Sequence, residues 1–109
     1  RLNVPENPTG YAIKGEIRAG AFSGALARPG AYQLEIKKDG AQIIAFDPAG
    51  LFYGAMSILS LLPAQGAPHI ATLTASDAPR FAYRGAFLDV ARNFHSKAAV
   101  LRLLDEMAA

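Results

Sequence analysis

The sequence predicts an α+β fold. A small antiparallel sheet is covered by a helix, and a further strand and helix follow as the opening of an incomplete β/α layer. Three observations predict it. Residues 31–46 alternate apolar and polar side chains around a turn. Residues 51–62 carry apolar side chains at helical spacing behind a capping residue. Residues 85–91 form a nearly continuous apolar run that leads into a second helical pattern at 97–109.

Taken in order, 1–10 is polar and holds Pro5, Pro8 and Gly10, so it reads as an incoming linker. Tyr11–Ile17 alternates around Ile13 and Ile17 and is a candidate strand. Residues 18–30 are rich in Gly and Ala and read as a loop or irregular edge. In 31–37, Tyr32, Leu34 and Ile36 share one side and are expected to face a core. Lys38-Asp39-Gly40 is a turn signal, and 41–46 is the returning strand of a β-hairpin.

Asp47 is a helix cap, Pro63 is a stop, and Leu51, Ala55, Ile58, Leu59 and Leu62 should cover the sheet. Gly54 lowers helix propensity and suits a close approach of backbone to sheet. Pro63–Pro68 is a loop, 69–74 a short strand, and 75–79 a linker of turn formers. The expected division is therefore 1–76, a supporting domain, and 77–109, the start of a second one.

That second part opens with Gly85-Ala86-Phe87-Leu88-Asp89-Val90-Ala91. An unbroken apolar run marks a strand buried on both faces, where a carboxylate such as Asp89 needs a partner. Arg92 follows near the strand end. An extended strand would put Arg92 and Asp89 on opposite sides, which leaves their pairing open. Ser96 is an N-cap, and Val100, Leu103, Leu104 and Met107 form one helix face. Polar residues at the C-terminal end of a barrel strand tend to be the chemical ones, so Arg92 is the candidate, against a plain structural ion pair.

The chain has 109 residues, too few for a whole barrel, which needs roughly 200 or more. It opens on Arg1 and closes on Met107-Ala108-Ala109 inside a helical pattern, so a longer polypeptide is expected. Eleven basic and nine acidic residues are scattered, which argues against nucleic-acid binding. Cysteine is absent, and no apolar run approaches the ~18 residues of a membrane span. His69 and His95 lie far apart and fit no metal-ligand spacing, and no phosphate loop is present. No cofactor is expected. Phe81, Tyr83 and Phe87 are expected to pack between the two domains rather than line a pocket. The adjacent Asp105 and Glu106 are expected to face solvent.

The run APRFAYRGAFLDVARNFHSKAAVLRLLDEMAA at 78–109 resembles the first strand and helix of the catalytic (β/α)8 barrel in family 20 glycoside hydrolases, the β-N-acetylhexosaminidases. Gly50-Leu51-Phe52-Tyr53-Gly54-Ala55 resembles the α/β domain that precedes that barrel. The resemblance implies release of terminal non-reducing β-linked N-acetylglucosamine or N-acetylgalactosamine by a retaining, substrate-assisted route. It implies that Arg92 binds the hydroxyls at sugar carbons 3 and 4, with Asp89 supporting the strand end. Asn93 stands where many members carry His. The catalytic Asp-Glu pair of such enzymes lies further along the barrel, so no catalytic residue is expected here, and Asp105-Glu106 does not take that role. The isolated chain should be inactive. The implied partners are an N-acetylhexosamine-terminated oligosaccharide and the rest of the barrel, from the same or another chain. Bacterial members act on chitin- or glycan-derived oligosaccharides outside the cytoplasm, in the periplasm or secreted. The alternative is a non-catalytic α+β module for carbohydrate binding or domain contact, which requires the helix at 97–109 to pack on the sheet.

Overall fold

The computed structural model describes residues 10–66 and 69–108. The expected incoming linker thus lies outside the described residues but for Gly10. Four strands form one sheet: β1 (Ala12–Ile17), β2 (Tyr32–Ile36), β3 (Gly40–Ala45) and β4 (Leu73–Asp77), in the order β1-β3-β2-β4. Helix α1 (Pro48–Leu61) covers one face, and α2 (Lys97–Ala108) lies beyond the sheet in sequence. The α+β class stands, but the sheet is mixed. β2 runs antiparallel to β3 and β4, while β1 pairs parallel to β3, with Gly15 opposite Ile43.

The hairpin forms as its alternation dictates. Lys37 N donates to Gly40 O at 2.8 Å and closes the turn over Lys38 and Asp39. Tyr32, Leu34, Ile36, Ala41, Ile43 and Ala45 are buried against α1, together with Ile58. The polar partners of the same alternation, such as Glu35 and Gln42, face away.

Asp47 caps α1. Its Oδ1 accepts from Gly50 N at 2.8 Å and also from Gly30 N at 3.0 Å, so one oxygen ties the helix start to the entry of β2. Pro48 occupies the first turn, where its missing N–H costs nothing, and the helix ends before Pro63. The covering face overlaps the expected one only in part. Ile58 is buried and Leu51 packs on the core as expected, and Gly50 and Gly54 are buried beside them, while Ala55, Leu59 and Leu62 are exposed. Glycine explains the rotation: a Cβ on Gly54 would lie 2.6 Å from Ile43 Cγ2 and 3.2 Å from Tyr32 Cδ2, so the bare backbone is the contact surface. Ser57 Oγ donates to Tyr53 O at 3.0 Å, which leaves the Tyr32 hydroxyl to donate to Ser57 Oγ at 2.7 Å.

The Gly- and Ala-rich stretch contains two single turns of 3₁₀ helix, Ala19–Ala21 and Gly24–Leu26. Between them Phe22 is buried with Ala31 and Ala78, and meets Phe46 edge-on at 6.0 Å. A second, smaller apolar cluster is thereby built beside the first.

Two expectations are corrected. The strand expected at 69–74 forms at Leu73–Asp77, because Ser76 and Asp77 pair with Gln33 and Tyr32 of β2. Cross-strand pairing overrides the turn-forming composition of 75–77. Residues 85–91, expected as a buried strand, join no ladder among the described residues, and Phe87 is 92% exposed. A barrel strand takes its hydrogen bonds and its burial from neighbouring strands, and none of β1–β4 lies alongside.

Candidate functional site

The apolar run ends in a turn at 90–92, and this turn brings Asp89 and Arg92 together. Asp89 Oδ1 accepts from Ala91 N at 2.9 Å and from Arg92 N at 3.2 Å. Aspartate favours such local turns because its short side chain reaches its own following amides. The other oxygen, Oδ2, accepts from Arg92 Nε at 2.6 Å. The strand-sidedness problem disappears because the backbone turns before residue 92. The Arg92 side chain, then its amide, then that of Ala91 hold the Asp89 carboxyl below the usual carboxylate range.

The ion pair leaves much of the arginine unused. The Arg92 side chain is 87% exposed against 29% for Asp89. Its two terminal nitrogens make no hydrogen bond among the described residues. A planar guanidinium held at Nε presents two further donor groups in a fork, which suits two neighbouring hydroxyls or a carboxylate.

The next turn opens α2. Ser96 Oγ accepts from Ala99 N at 3.3 Å, and Val100 N bonds Ser96 O at 3.1 Å, so Ser96 caps as expected. None of the helix is buried: Leu101, Leu104 and Met107 are about half exposed. Asp105 and Glu106 lie exposed on it, away from the Asp89 turn in sequence. Asn93 is exposed and His95 half-buried. Among the described residues no group of acidic, His or Cys side chains is arranged to hold a metal, and no helix is long and apolar enough to cross a membrane.

The aromatic residues do not form the expected packed cluster. Phe81, Tyr83 and Phe87 are exposed, although Arg80 lies 4.9 Å from the Phe81 ring centroid. The sequence reading missed Arg84, whose guanidinium sits 5.7 Å from the Tyr53 ring centroid. There a cleft of about 220 Å³ is lined by Tyr53, Met56, Asp77, Arg84 and Met107. It joins α1 to the end of α2. Only the contact across sequence-distant residues defines it, so no local pattern could have found it.

A sheet domain followed by an apolar run that turns at Asp89–Arg92 and leads into a helix has clear relatives. The profile described as glycosyl hydrolase family 20, domain 2, matches residues 1–78, and that described as the glycosyl hydrolase family 20 catalytic domain matches 81–109. The chain belongs to glycosyl hydrolase family 20. It is 56% identical over 88 residues to the N,N'-diacetylchitobiase of Vibrio harveyi, a match covering 81% of this chain and 10% of that protein. It is 40% identical over 101 residues to a beta-hexosaminidase of Vibrio vulnificus, covering 93% of this chain and 11% of that protein. A solved glycoside hydrolase family 20 beta-N-acetylglucosaminidase superposes with a TM-score of 0.70 at 34% identity, covering 86% of this chain and 18% of that one. The chain thus spans about a tenth of the length of these curated relatives.

Proposed function

We propose that these residues are the end of the supporting domain, which β4 and the buried Ala78 extend from the expected 1–76 to 1–78, and the first barrel unit, the remainder of the expected 77–109, of an enzyme that removes terminal non-reducing β-linked N-acetylhexosamine from oligosaccharides. The observation that carries it is the Arg92 guanidinium, pinned at Nε with its two terminal nitrogens open to solvent. On this reading those nitrogens donate to the sugar hydroxyls at carbons 3 and 4, and Asp89 builds the strand end beneath them. The names of the relatives, a diacetylchitobiase and beta-hexosaminidases, support the substrate class.

The chemistry follows the retaining, substrate-assisted route. The acetamido oxygen of the substrate attacks carbon 1 while a glutamic acid protonates the departing glycosidic oxygen. An aspartate orients the acetamido group, and water then opens the oxazolinium intermediate with the glutamate as base. That Asp-Glu pair is taken to lie outside these 109 residues, so the chain by itself is inert. The remaining barrel comes from the same polypeptide or a partner. The half-exposed apolar face of α2 supports this, because large open apolar faces mark a missing partner. A free-standing carbohydrate-binding module would instead need α2 packed on the sheet. With chitin- or glycan-derived oligosaccharides as substrates, a periplasmic or secreted location fits the whole protein.

The test uses the full-length protein that carries these residues. It should hydrolyse a chromogenic β-N-acetylglucosaminide, release the β-anomer first by proton NMR, and leave the matching β-glucoside, which lacks the acetamido group, untouched. Turnover of the β-glucoside at a similar rate, or release of the α-anomer, overturns the proposal.

A further inference from the structure

We propose that Asp89 is the positioning residue for Arg92, dividing its two oxygens between the backbone turn and the guanidinium so that the terminal nitrogens face the sugar in one fixed direction. This rests on the reading of Arg92 given above and adds what holds it.

Arginine has a long side chain with several rotatable bonds, and here it is almost wholly exposed. Among the described residues, one contact restrains its head: Nε to Asp89 Oδ2 at 2.6 Å. The carboxylate is itself fixed. Oδ1 is held by two successive amides, Ala91 N at 2.9 Å and Arg92 N at 3.2 Å. The restraint therefore runs from backbone to carboxylate to Nε, and the fork beyond Nε inherits its orientation. A group pre-oriented in this way loses less freedom when ligand binds, which appears as tighter binding rather than faster chemistry.

Asparagine separates the two jobs. With its oxygen kept toward Ala91 N and Arg92 N, the turn survives. Its amide nitrogen then meets Arg92 Nε, donor against donor, and the guanidinium is released. A merely turn-forming Asp89 would be replaced by Asn without effect. A positioning Asp89 would not.

The experiment measures Asp89→Asn in the full-length protein on paired chromogenic β-N-acetylglucosaminide and β-N-acetylgalactosaminide, which differ at carbon 4. KM should rise about 3- to 10-fold, with kcat within about 2-fold. The preference between the two sugars should shrink toward parity. In an Arg92→Ala background the same change should leave KM unmoved, since the two residues act as one unit. Asp89→Asn behaving as wild type, or raising KM equally without Arg92, overturns the inference. A second readout does not depend on activity: the chemical shift of the Arg92 Nε proton in NMR spectra of the 109-residue chain. The hydrogen bond to Asp89 Oδ2 should move it downfield of a free arginine in the wild type, and Asp89→Asn should return it toward the free position. A wild-type proton already at the free position overturns the inference. Failure of the wild-type enzyme on both sugars would overturn the proposed function and leave this readout to decide the role of Asp89.

Discussion

Asp47 offers a sharp stability test because one oxygen serves two elements. Replacing it with Ala removes the acceptor of Gly50 N, the cap of α1, and the acceptor of Gly30 N, in the buried entry to β2. Loss of a cap costs about 0.5–2 kcal/mol. Leaving a buried N–H without a partner adds about 1–3 kcal/mol. Together the change should cost about 1.5–5 kcal/mol. For a domain of this size that is a fall in Tm of at least roughly 6 °C. Asp47→Asn keeps an acceptor oxygen in place and should cost less than about 1 kcal/mol. Urea and thermal unfolding followed by far-UV circular dichroism would measure both. If Asp47→Ala costs less than about 1 kcal/mol, or Asn costs as much as Ala, the double role is refuted.

Gly54→Ala should destabilise, although propensity alone favours Ala by about 1 kcal/mol. Its Cβ would lie 2.6 Å from a methyl of the fully buried Ile43, and overpacking costs about 1–3 kcal/mol; a Tm above wild type contradicts this. The Asp89 carboxyl should titrate below its ordinary value of about 3.9, followed by its side-chain carbon in NMR, and Arg92→Ala should move it back up. The sign follows from the lowered folded value: the turn's contribution is full above the unfolded value and is lost as pH falls through the folded one. Removing 85–109 should leave the urea midpoint of the sheet nearly unchanged, since no α2 residue is buried and its end meets α1 only at an open cleft, whereas removing Ala78 and Pro79 as well should lower it. Ala78 is buried and its carbonyl accepts from Arg28 at 3.3 Å.

The local features were readable where short-range chemistry decides them. Strict alternation around Lys38-Asp39 predicts the hairpin, and Asp47-Pro48 and Pro63 predict both ends of α1. The buried face of α1 was readable in part: Leu51, Ile58 and the close approach at Gly54 follow from the sequence, whereas Ala55, Leu59 and Leu62 turn outward because Gly50 and Gly54 make contact through what they lack. Parallel pairing of β1 with β3 joins residues almost thirty apart, and no periodicity encodes it. The apolar run at 85–91 records the surroundings a strand requires, so it misleads where those neighbours do not lie alongside.

The site divides the same way. Asp89 and Arg92 stood out as charges at the end of an apolar run, and their pairing was open only because an extended chain would separate them. The turn that joins them depends on Asp89 bonding its own following amides. The reading of Arg92 as a sugar ligand came from likeness to a family, and the exposed fork is what agrees with it. The Arg84–Tyr53 contact lay beyond sequence reasoning altogether.

The decisive measurement is kcat/KM of the full-length protein and its Arg92→Ala variant on a chromogenic β-N-acetylglucosaminide. Two hydrogen bonds from a charged group, each worth about 1.5–3 kcal/mol, predict a loss of roughly 100- to 10,000-fold. The Tm should stay the same, because the side chain is exposed. A wild-type protein without activity, or a variant within a few-fold of it, would contradict the account.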